Sequence, residues 1–253
     1  MTYCLGIKVR EGLVCLADGR VTSGSQVSNV RKVTLHGPQG TQVCIMTSGL
    51  RSLRDKTLAY FDRALHGAPG ESCRAMLDAV DIYGTCLRQV AEQDREALEQ
   101  SELRFNLHSL IAGQLDDDRE PTIFLVYPEA NWIEVDRRSP YLSIGATAYG
   151  KPILDRALSH KTSLQTALKL AYLSFDSTRT STADVGFPLD MMTYAAAERG
   201  WREVKYDYDD LTSQRTWWNQ HITKLANDMP DGPWVDELLP EAGATRLSVV
   251  QDD

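Results

Sequence analysis

The order of segment patterns along the chain constrains its fold more than any other feature. Apolar β-like runs come first, two helical stretches follow, and the same alternation repeats before the last β-like runs. Helices are predicted at residues 50–65 and 72–97, the second starting at Ser72, where apolar residues recur with helical spacing. Two more are predicted at residues 152–158 and 163–173. This order predicts an α+β protein in which two sheets are covered by helices.

Short apolar runs bounded by turn residues predict the strands. These runs cover residues 3–9, 13–17, 43–46, 105–112, 122–127, 132–135, 141–144, 187–194 and 201–204. A last helix is predicted at residues 211–227. Since neither an internal repeat nor a linker interrupts the chain, we interpret residues 1–253 as a single domain with a helical C-terminal extension from about residue 208.

The first two β-like runs are predicted to form a hairpin, because they flank a charged glycine turn at residues 10–12. The second run ends on Asp18, which the hairpin brings to the strand end nearest Thr2. A loop rich in Ser, Gly and Asn is predicted at residues 21–29, and residues 30–33 follow as a strand-like string.

Thr2 becomes a candidate nucleophile if the initiator Met1 is removed, which the small side chain of Thr2 permits. The free α-amino group would have a pKa of ~7.7–8.0, so a modest downward shift makes it an acceptor for the Oγ proton. The N-terminus has no charged segment followed by an apolar one, so no signal peptide is predicted and a cytoplasmic location is expected.

The motifs that follow Thr2 resemble those of the proteasome β-subunit superfamily. The motifs are Asp18-Gly19, Asn29-Val30-Arg31-Lys32-Val33, Ser48-Gly49, Ser174-Phe175-Asp176-Ser177-Thr178 and Val185-Gly186-Phe187-Pro188-Leu189-Asp190. The second is similar to a string in the bacterial subunit HslV, whereas the opening eight residues and the last two motifs are similar to the bacterial ancestral β-subunit (Anbu) family. The resemblance implies a four-layer αββα sandwich of the N-terminal-nucleophile hydrolase type.

The resemblance also implies roles for three residues near the N-terminus. Thr2 would be the nucleophile, with its own α-amine as general base through a water. Lys32 would lie beside Thr2, where its ammonium attracts the developing alkoxide and disfavours a proton on the amine. Asp18 would hold Lys32 by an ion pair, while Arg31 would point to the opposite face of the strand. Taken alone, a strand lysine and an Asp-Gly turn are also ordinary surface features.

Further site residues follow from the same resemblance. The backbone N–H of Gly49 would bind the oxyanion of the tetrahedral intermediate, although a glycine before a helix is also explained by turn geometry. Asp176 would orient the terminal amine, with Ser177 and Ser181 as candidate hydroxyl partners. In the proteasome that serine follows the aspartate at a shorter spacing than Ser181 follows Asp176.

One position departs from the family pattern. Proteasome and HslV subunits have Gly-Ser-Gly where this chain has Gly145-Ala146-Thr147, and that serine bonds the N-terminal amine. Ala146 lacks a hydroxyl group. Thr147, Ser143 or a water must replace it, or activity is reduced.

Bulk properties exclude several function classes. The net charge is −8 and no Lys/Arg run is longer than a pair, which argues against a nucleic-acid surface. No apolar stretch approaches the ~18 residues of a membrane span. The five cysteines lack a CxxC spacing and are predicted to be buried, reduced thiols. The scattered histidines give no metal motif, so neither metal nor cofactor is predicted.

The preferred hypothesis is a self-assembling threonine peptidase or amide hydrolase that acts on peptides or proteins. Its partners would be identical subunits in a ring or lock-washer-like turn, and the sequence does not show whether an ATPase partner exists. The rivals are a non-proteolytic or weakly active assembly protein and a small-molecule amidohydrolase. Trp217 and Trp218 point about 100° apart on a helix, so one of them is expected to meet another surface.

Overall fold

The computed structural model describes residues 2–23, 26–38, 41–67 and 73–239. Its strands are β1 (Tyr3–Val9), β2 (Gly12–Asp18), β3 (Arg20–Ser23), β4 (Gln26–Asn29), β5 (Val33–His36), β6 (Val43–Ser48), β7 (His108–Gly113), β8 (Thr122–Val126), β9 (Trp132–Glu134), β10 (Tyr141–Gly145), β11 (Leu189–Ala195) and β12 (Gly200–Tyr206). Its helices are α1 (Arg51–Gly67), α2 (Met76–Gln100), α3 (Lys151–Ala157), α4 (Leu164–Ser181), α5 (Thr212–Asp228) and α6 (Pro233–Leu238), with a 3₁₀ turn at Asp209–Leu211.

The chain divides into two compact units, Met1–Asp210 and Leu211–Asp253. The first contains two five-stranded antiparallel sheets. The strand order is β10-β1-β2-β11-β12 in the first sheet and β5-β6-β7-β8-β9 in the second. A separate ribbon pairs β3 with β4. The predicted hairpin is present, because β1 and β2 pair from Cys4↔Ala17 to Val9↔Gly12.

Two apolar cores define the layers of the first unit. One core lies between the sheets and includes Cys4 and Cys15 from the first sheet with Cys44 and Met46 from the second. The other joins α1 and α2 to the outer face of the second sheet, where Phe61 and other helix residues pack. Helix α4 packs on β1 and β2, on the outer face of the first sheet. The architecture is therefore the four-layer αββα sandwich that the resemblance implied.

Four of the five cysteines are buried as predicted, and Cys73 is not. Cys4, Cys15, Cys44 and Cys86 are buried, and Cys73 is half-buried. Burial raises the pKa of the Cys4 thiol well above its usual range and that of Cys73 to about 11. Thiols with raised pKa values are poor nucleophiles, which agrees with a packing role.

The predicted loop at residues 21–29 is wrong, because this segment forms the hairpin of β3 and β4. All four residues of β4 are exposed, so the segment lacks the apolar alternation that marks a strand. The string at residues 30–32 is not a strand, and β5 begins only at Val33.

The helix predicted at residues 163–173 continues to Ser181. Thr178 Oγ1 donates to the Ser174 carbonyl oxygen and Thr180 Oγ1 to that of Asp176. These hydroxyls are satisfied within the helix, so the Ser/Thr-rich segment does not end it. Helix α6 was not predicted. Ser72, the predicted start of the second helix, lies outside the described residues, but residues 73–75 are not helical and α2 begins only at Met76. No described helix has the length and apolar character needed to cross a membrane.

Candidate active site

Asp18 lies at the end of β2 and is completely buried. Its Oδ1 accepts hydrogen bonds from the Tyr3 backbone N–H at 2.8 Å and from Lys32 Nζ at 2.8 Å. Its Oδ2 accepts from the Gly186 N–H at 3.4 Å. Burial raises the pKa of this carboxyl group, while the Lys32 charge and the three donors oppose that rise.

Lys32 follows the β3–β4 hairpin and is only 6% exposed. Besides Asp18, its ammonium donates to the Arg20 carbonyl oxygen at 2.6 Å. An ammonium group has three N–H donors, and two of them have acceptors among the described residues. The neighbouring Arg31 is exposed and pairs with Glu203, so the two adjacent cations face different surroundings as predicted.

Thr2 is half-buried, and its backbone lies beside this ion pair. Its carbonyl oxygen accepts from the Ala146 N–H at 2.7 Å, and the next N–H along the chain is the Tyr3 donor to Asp18. A Cβ at Gly145, which has φ +90°, would lie 1.8 Å from the Thr2 oxygen. Glycine there thus permits the close approach that fixes Thr2. Met1, whose removal is predicted, lies outside the described residues.

Ala146 stands opposite Thr2, at the position where the family has its serine. Of the three predicted replacements, Ser143 pairs with Leu5 in the ladder, three residues along β1 from Thr2. At a strand rise of about 3.3 Å per residue this separates them by roughly 10 Å. Thr147 is half-buried and lies next to Ala146, so Thr147 or a water remains to take the place of the family hydroxyl.

Gly49 follows β6 and is exposed. It has φ +144°, and a Cβ there would lie 2.6 Å from the Asn106 carbonyl oxygen and 2.9 Å from Leu107 Cα. The backbone at this position therefore requires glycine, which agrees with the interpretation that turn geometry explains Gly49. Its N–H has no acceptor among the described residues, which leaves it able to donate to a bound group.

Asp176 is buried within α4. Among the described residues, its charged partner is Arg179 and not a residue of the Thr2 site. Asp176 Oδ1 accepts from Arg179 Nε at 2.8 Å and Nη2 at 2.6 Å. The Arg179 guanidinium also lies 5.7 Å from the ring centres of Phe187 and Tyr208. Ser181 is exposed at the last residue of α4 and makes no hydrogen bond to Asp18, Lys32 or Asp176. The structure therefore brings together Thr2, Asp18 and Lys32, but joins neither Asp176 nor Ser181 to them by a direct contact.

Residues 182–188 form a loop against the site that the sequence analysis did not identify. Arg20 Nη1 donates to the Ala183 carbonyl oxygen at 3.0 Å, and Thr22 Oγ1 donates to Asp184 Oδ1 at 2.6 Å. The Thr22 hydrogen bond lowers the pKa of Asp184. With the bond from Gly186 to Asp18, these contacts tie the loop to the strands that carry the site. The sequence signal for this loop is the motif at residues 185–190, which contributes to the resemblance.

A second unanticipated contact joins Tyr3 to Ser174. The Tyr3 hydroxyl and Ser174 Oγ are 2.6 Å apart and both side chains are buried. Burial raises the pKa of Tyr3 well above its usual range. This bond anchors the residue after Thr2 to α4. Across the described ranges, no group of three His, Cys, Asp or Glu side chains is placed to hold a metal ion.

Comparison with solved structures shows which proteins this chain resembles. The chain is similar to Anbu (ancestral beta-subunit) from Yersinia bercovieri, with 27% identity, a TM-score of 0.80 and coverage of 91% of this chain and 98% of that chain. It is similar to the helical assembly of the Anbu complex from Pseudomonas aeruginosa, with 26% identity, a TM-score of 0.84 and coverage of 91% and 98%. It is similar to an Anbu (Gly-1) mutant from Hyphomicrobium sp. strain MC1, with 26% identity, a TM-score of 0.83 and coverage of 92% and 99%.

These likenesses confirm the resemblance to the ancestral β-subunit family and its proteasome-like fold. No protein-family profile and no curated protein sequence matches the chain.

Proposed function

We propose that this chain is a proteasome-type threonine hydrolase that cleaves peptide or other amide bonds with Thr2 after removal of Met1. The observation that carries the proposal is that two hydrogen bonds converge on Asp18 Oδ1. The Lys32 ammonium and the N–H that directly follows Thr2 both donate to this one buried oxygen. A buried cation held beside a hydroxyl nucleophile is the arrangement that activates it.

The proposed reaction begins with attack of Thr2 Oγ on the substrate carbonyl carbon. The Oγ proton passes through a water to the α-amine of Thr2, and Lys32 stabilises the developing alkoxide. The Gly49 N–H binds the oxyanion of the tetrahedral intermediate. Collapse of the intermediate breaks the C–N bond, and the leaving amine takes the proton from the α-amine. Water then hydrolyses the ester on Thr2 and regenerates the hydroxyl.

For Asp176 and Ser181 we propose the roles that the resemblance implies as secondary roles. Asp176, with Ser181 as a hydroxyl partner, would orient the α-amine. The Arg179 contacts of Asp176 and the exposure of Ser181 weigh against this assignment. Ser177, Thr147 or a water is the alternative hydroxyl partner.

We also propose that the protein acts as a cytoplasmic assembly of identical subunits, without a metal or cofactor. The likeness to Anbu from Pseudomonas aeruginosa, whose structure is a helical assembly, supports this proposal. A side-by-side contact between identical subunits generates a ring if the rotation closes and a helix if it does not. Peptides or proteins would be the substrates, and neither nucleic acid nor a membrane is a proposed partner.

A non-proteolytic or weakly active assembly protein is the second candidate function. Ala146 favours it, because the hydroxyl that bonds the terminal amine in the family is missing. A small-molecule amidohydrolase would use the same chemistry as the peptidase and would differ in substrate size only.

Intact-mass spectrometry after treatment with a β-lactone tests the proposal. A β-lactone acylates an activated hydroxyl and adds its full mass to the chain, and the same spectrum reports whether Met1 is present. We expect one adduct on Met1-free protein, located at Thr2 by fragmentation, and none on the Thr2→Ala variant. Met1-free protein that remains unmodified would favour the assembly protein.

A further inference from the structure

A cavity of about 290 Å³ lies beside the edge strand β9 and the start of α2. Phe124, Trp132 and Glu134 line it. Phe124 is the cross-strand partner of Glu134, and Trp132 precedes Glu134 by two residues on the same face of β9. Since Phe124 belongs to the core under α1 and α2, all three side chains face the helix side of the second sheet.

The cavity is separate from the candidate active site. A Cβ at Gly113 would lie 3.1 Å from Met76 Sδ and 3.6 Å from Val43 Cα, so the start of α2 lies near the first residue of β6. Gly49 follows the other end of this strand. The six residues of β6 span roughly 17 Å.

Two aromatic rings form a corner of the cavity. Phe124 and Trp132 pack edge to face, with ring centres 5.1 Å apart and an interplanar angle of 89°. Phe124 is buried, whereas Trp132 is 38% exposed and opens the corner to solvent. In an edge-to-face pair the faces of the ring that contributes its edge are not covered by the partner ring, and the face of an aromatic ring attracts a cation.

Carboxylate oxygens without donors complete the lining. Glu134 Oε1 accepts from Thr122 Oγ1 at 2.6 Å, which holds the carboxylate, and no described residue donates to Oε2. Asp118 Oδ2 accepts from two backbone N–H groups, those of Met76 and Leu115, and its Oδ1 likewise has no described donor. Glu120 is different, because Lys8 and Arg137 neutralise it.

We propose that this cavity binds an organic cation of the alkylammonium type. The ammonium would lie against the Phe124–Trp132 corner and donate to Glu134 Oε2, with Asp118 as the second negative charge. Such a group occurs on a lysine side chain and on a free polyamine. Arg119 also lines the cavity, but it pairs with no described carboxylate. Its charge opposes a bound cation, so it gives the proposal a test of opposite sign.

Isothermal titration calorimetry with n-butylammonium, the lysine side chain without its backbone, tests the proposal. We expect saturable binding to the parent protein and none of comparable strength for n-butanol, which has the same shape without the charge. Glu134→Gln is expected to weaken binding about tenfold, and Trp132→Leu to weaken it severalfold. Arg119→Gln should bind as tightly as the parent or tighter. Glu129→Gln removes an exposed carboxylate from the β8–β9 turn outside the cavity lining and is the matched control.

Two further titrations distinguish the sources of the ammonium group. N-acetyl-lysine N-methylamide represents a peptide side chain, and spermidine represents a free polyamine. Tighter binding of one identifies the source. Equal binding of n-butylammonium by the parent, Glu134→Gln and Trp132→Leu would overturn the site, as would the absence of saturable binding. Equal binding of n-butanol would show an apolar cavity without cation recognition.

Discussion

Lys32 and Asp18 form an ion pair that is shielded from solvent on both sides, with side-chain exposures of 5% and 0%. The same Asp18 oxygen also accepts the Tyr3 N–H. The pair therefore fixes the backbone immediately after Thr2 as well as the cation beside it. Burial nevertheless raises the pKa of Asp18, so the charge on this carboxylate is maintained against its desolvation cost.

The Asp18→Asn substitution should reduce both turnover and stability. The amide keeps the shape of the carboxyl group, but it leaves the Lys32 ammonium, whose side chain is 5% exposed, without a charged partner. We expect turnover to fall by orders of magnitude and the free energy of unfolding to fall by about 3 kcal/mol or more, because a buried charge is left unpaired. Urea unfolding and a peptidase assay on the same preparation provide the measurement. Full turnover in this variant would contradict the assignment of Asp18.

Acidification should reduce activity before it unfolds the protein. Since the folded-state pKa of Asp18 is above that of the unfolded chain, the folded state binds the extra proton in the window between the two values. The contribution of Asp18 to the free energy of unfolding is then fully present below the unfolded pKa and is lost as the pH rises through the folded one. Turnover should have the opposite pH dependence and rise with pH, because it needs the ionised pair. Parallel pH profiles of turnover and thermal unfolding check this. In Asp18→Asn the part of the pH dependence of thermal unfolding that is assigned to this group should be absent.

The nucleophile and its cation should respond differently to substitution. Thr2→Ala is expected to abolish turnover with unchanged stability, whereas Thr2→Ser retains some activity because it keeps both the hydroxyl and the amine. Lys32→Met should also abolish turnover, and it leaves Asp18 buried without a counter-charge, which costs about 3–5 kcal/mol of stability. Lys56→Met, at a half-buried pair with Asp94, is the control and should retain turnover. Near-full activity of Lys32→Met would refute the proposed role of Lys32.

The pair of Asp176 and Arg179 should be mainly structural. Arg179→Leu leaves the buried Asp176 carboxylate without a cation, and we expect a loss of about 3 kcal/mol or more. Asp176→Asn should cost less, because the Arg179 side chain is 18% exposed and can gain water. We expect Asp176→Asn to lower turnover less than tenfold and Ser181→Ala to leave it unchanged. A loss of several orders of magnitude in Asp176→Asn at parental stability would instead support the amine-orienting role.

The sequence predicted those parts of the site whose residues lie close together along the chain. The hairpin of β1 and β2 follows from two apolar runs around a charged glycine turn, and with the Lys32 motif it placed Asp18 near Thr2. The β3–β4 hairpin was missed because all of β4 is exposed and polar alternation gives no signal. The Arg179 contact with Asp176 depended on α4 continuing past its predicted end. The Phe124–Trp132 corner depends on the pairing register of β8 and β9, which neither segment specifies alone.

Assembly is the last prediction, and α5 and α6 provide its test. In the single chain Trp217 is 54% exposed and stacks on His221, while Ile222, Leu225 and Trp234 are each about half exposed or more. Large exposed apolar side chains at this density are typical of a surface that another protein covers. We expect light scattering at micromolar concentration to give a mass many times the 28.3 kDa of the monomer. Trp217→Ala together with Leu225→Ala should lower that mass, whereas the exposed, polar Gln220→Ala should not. A folded parent protein of monomer mass would refute self-assembly, and unchanged mass in the double variant would move the interface away from α5.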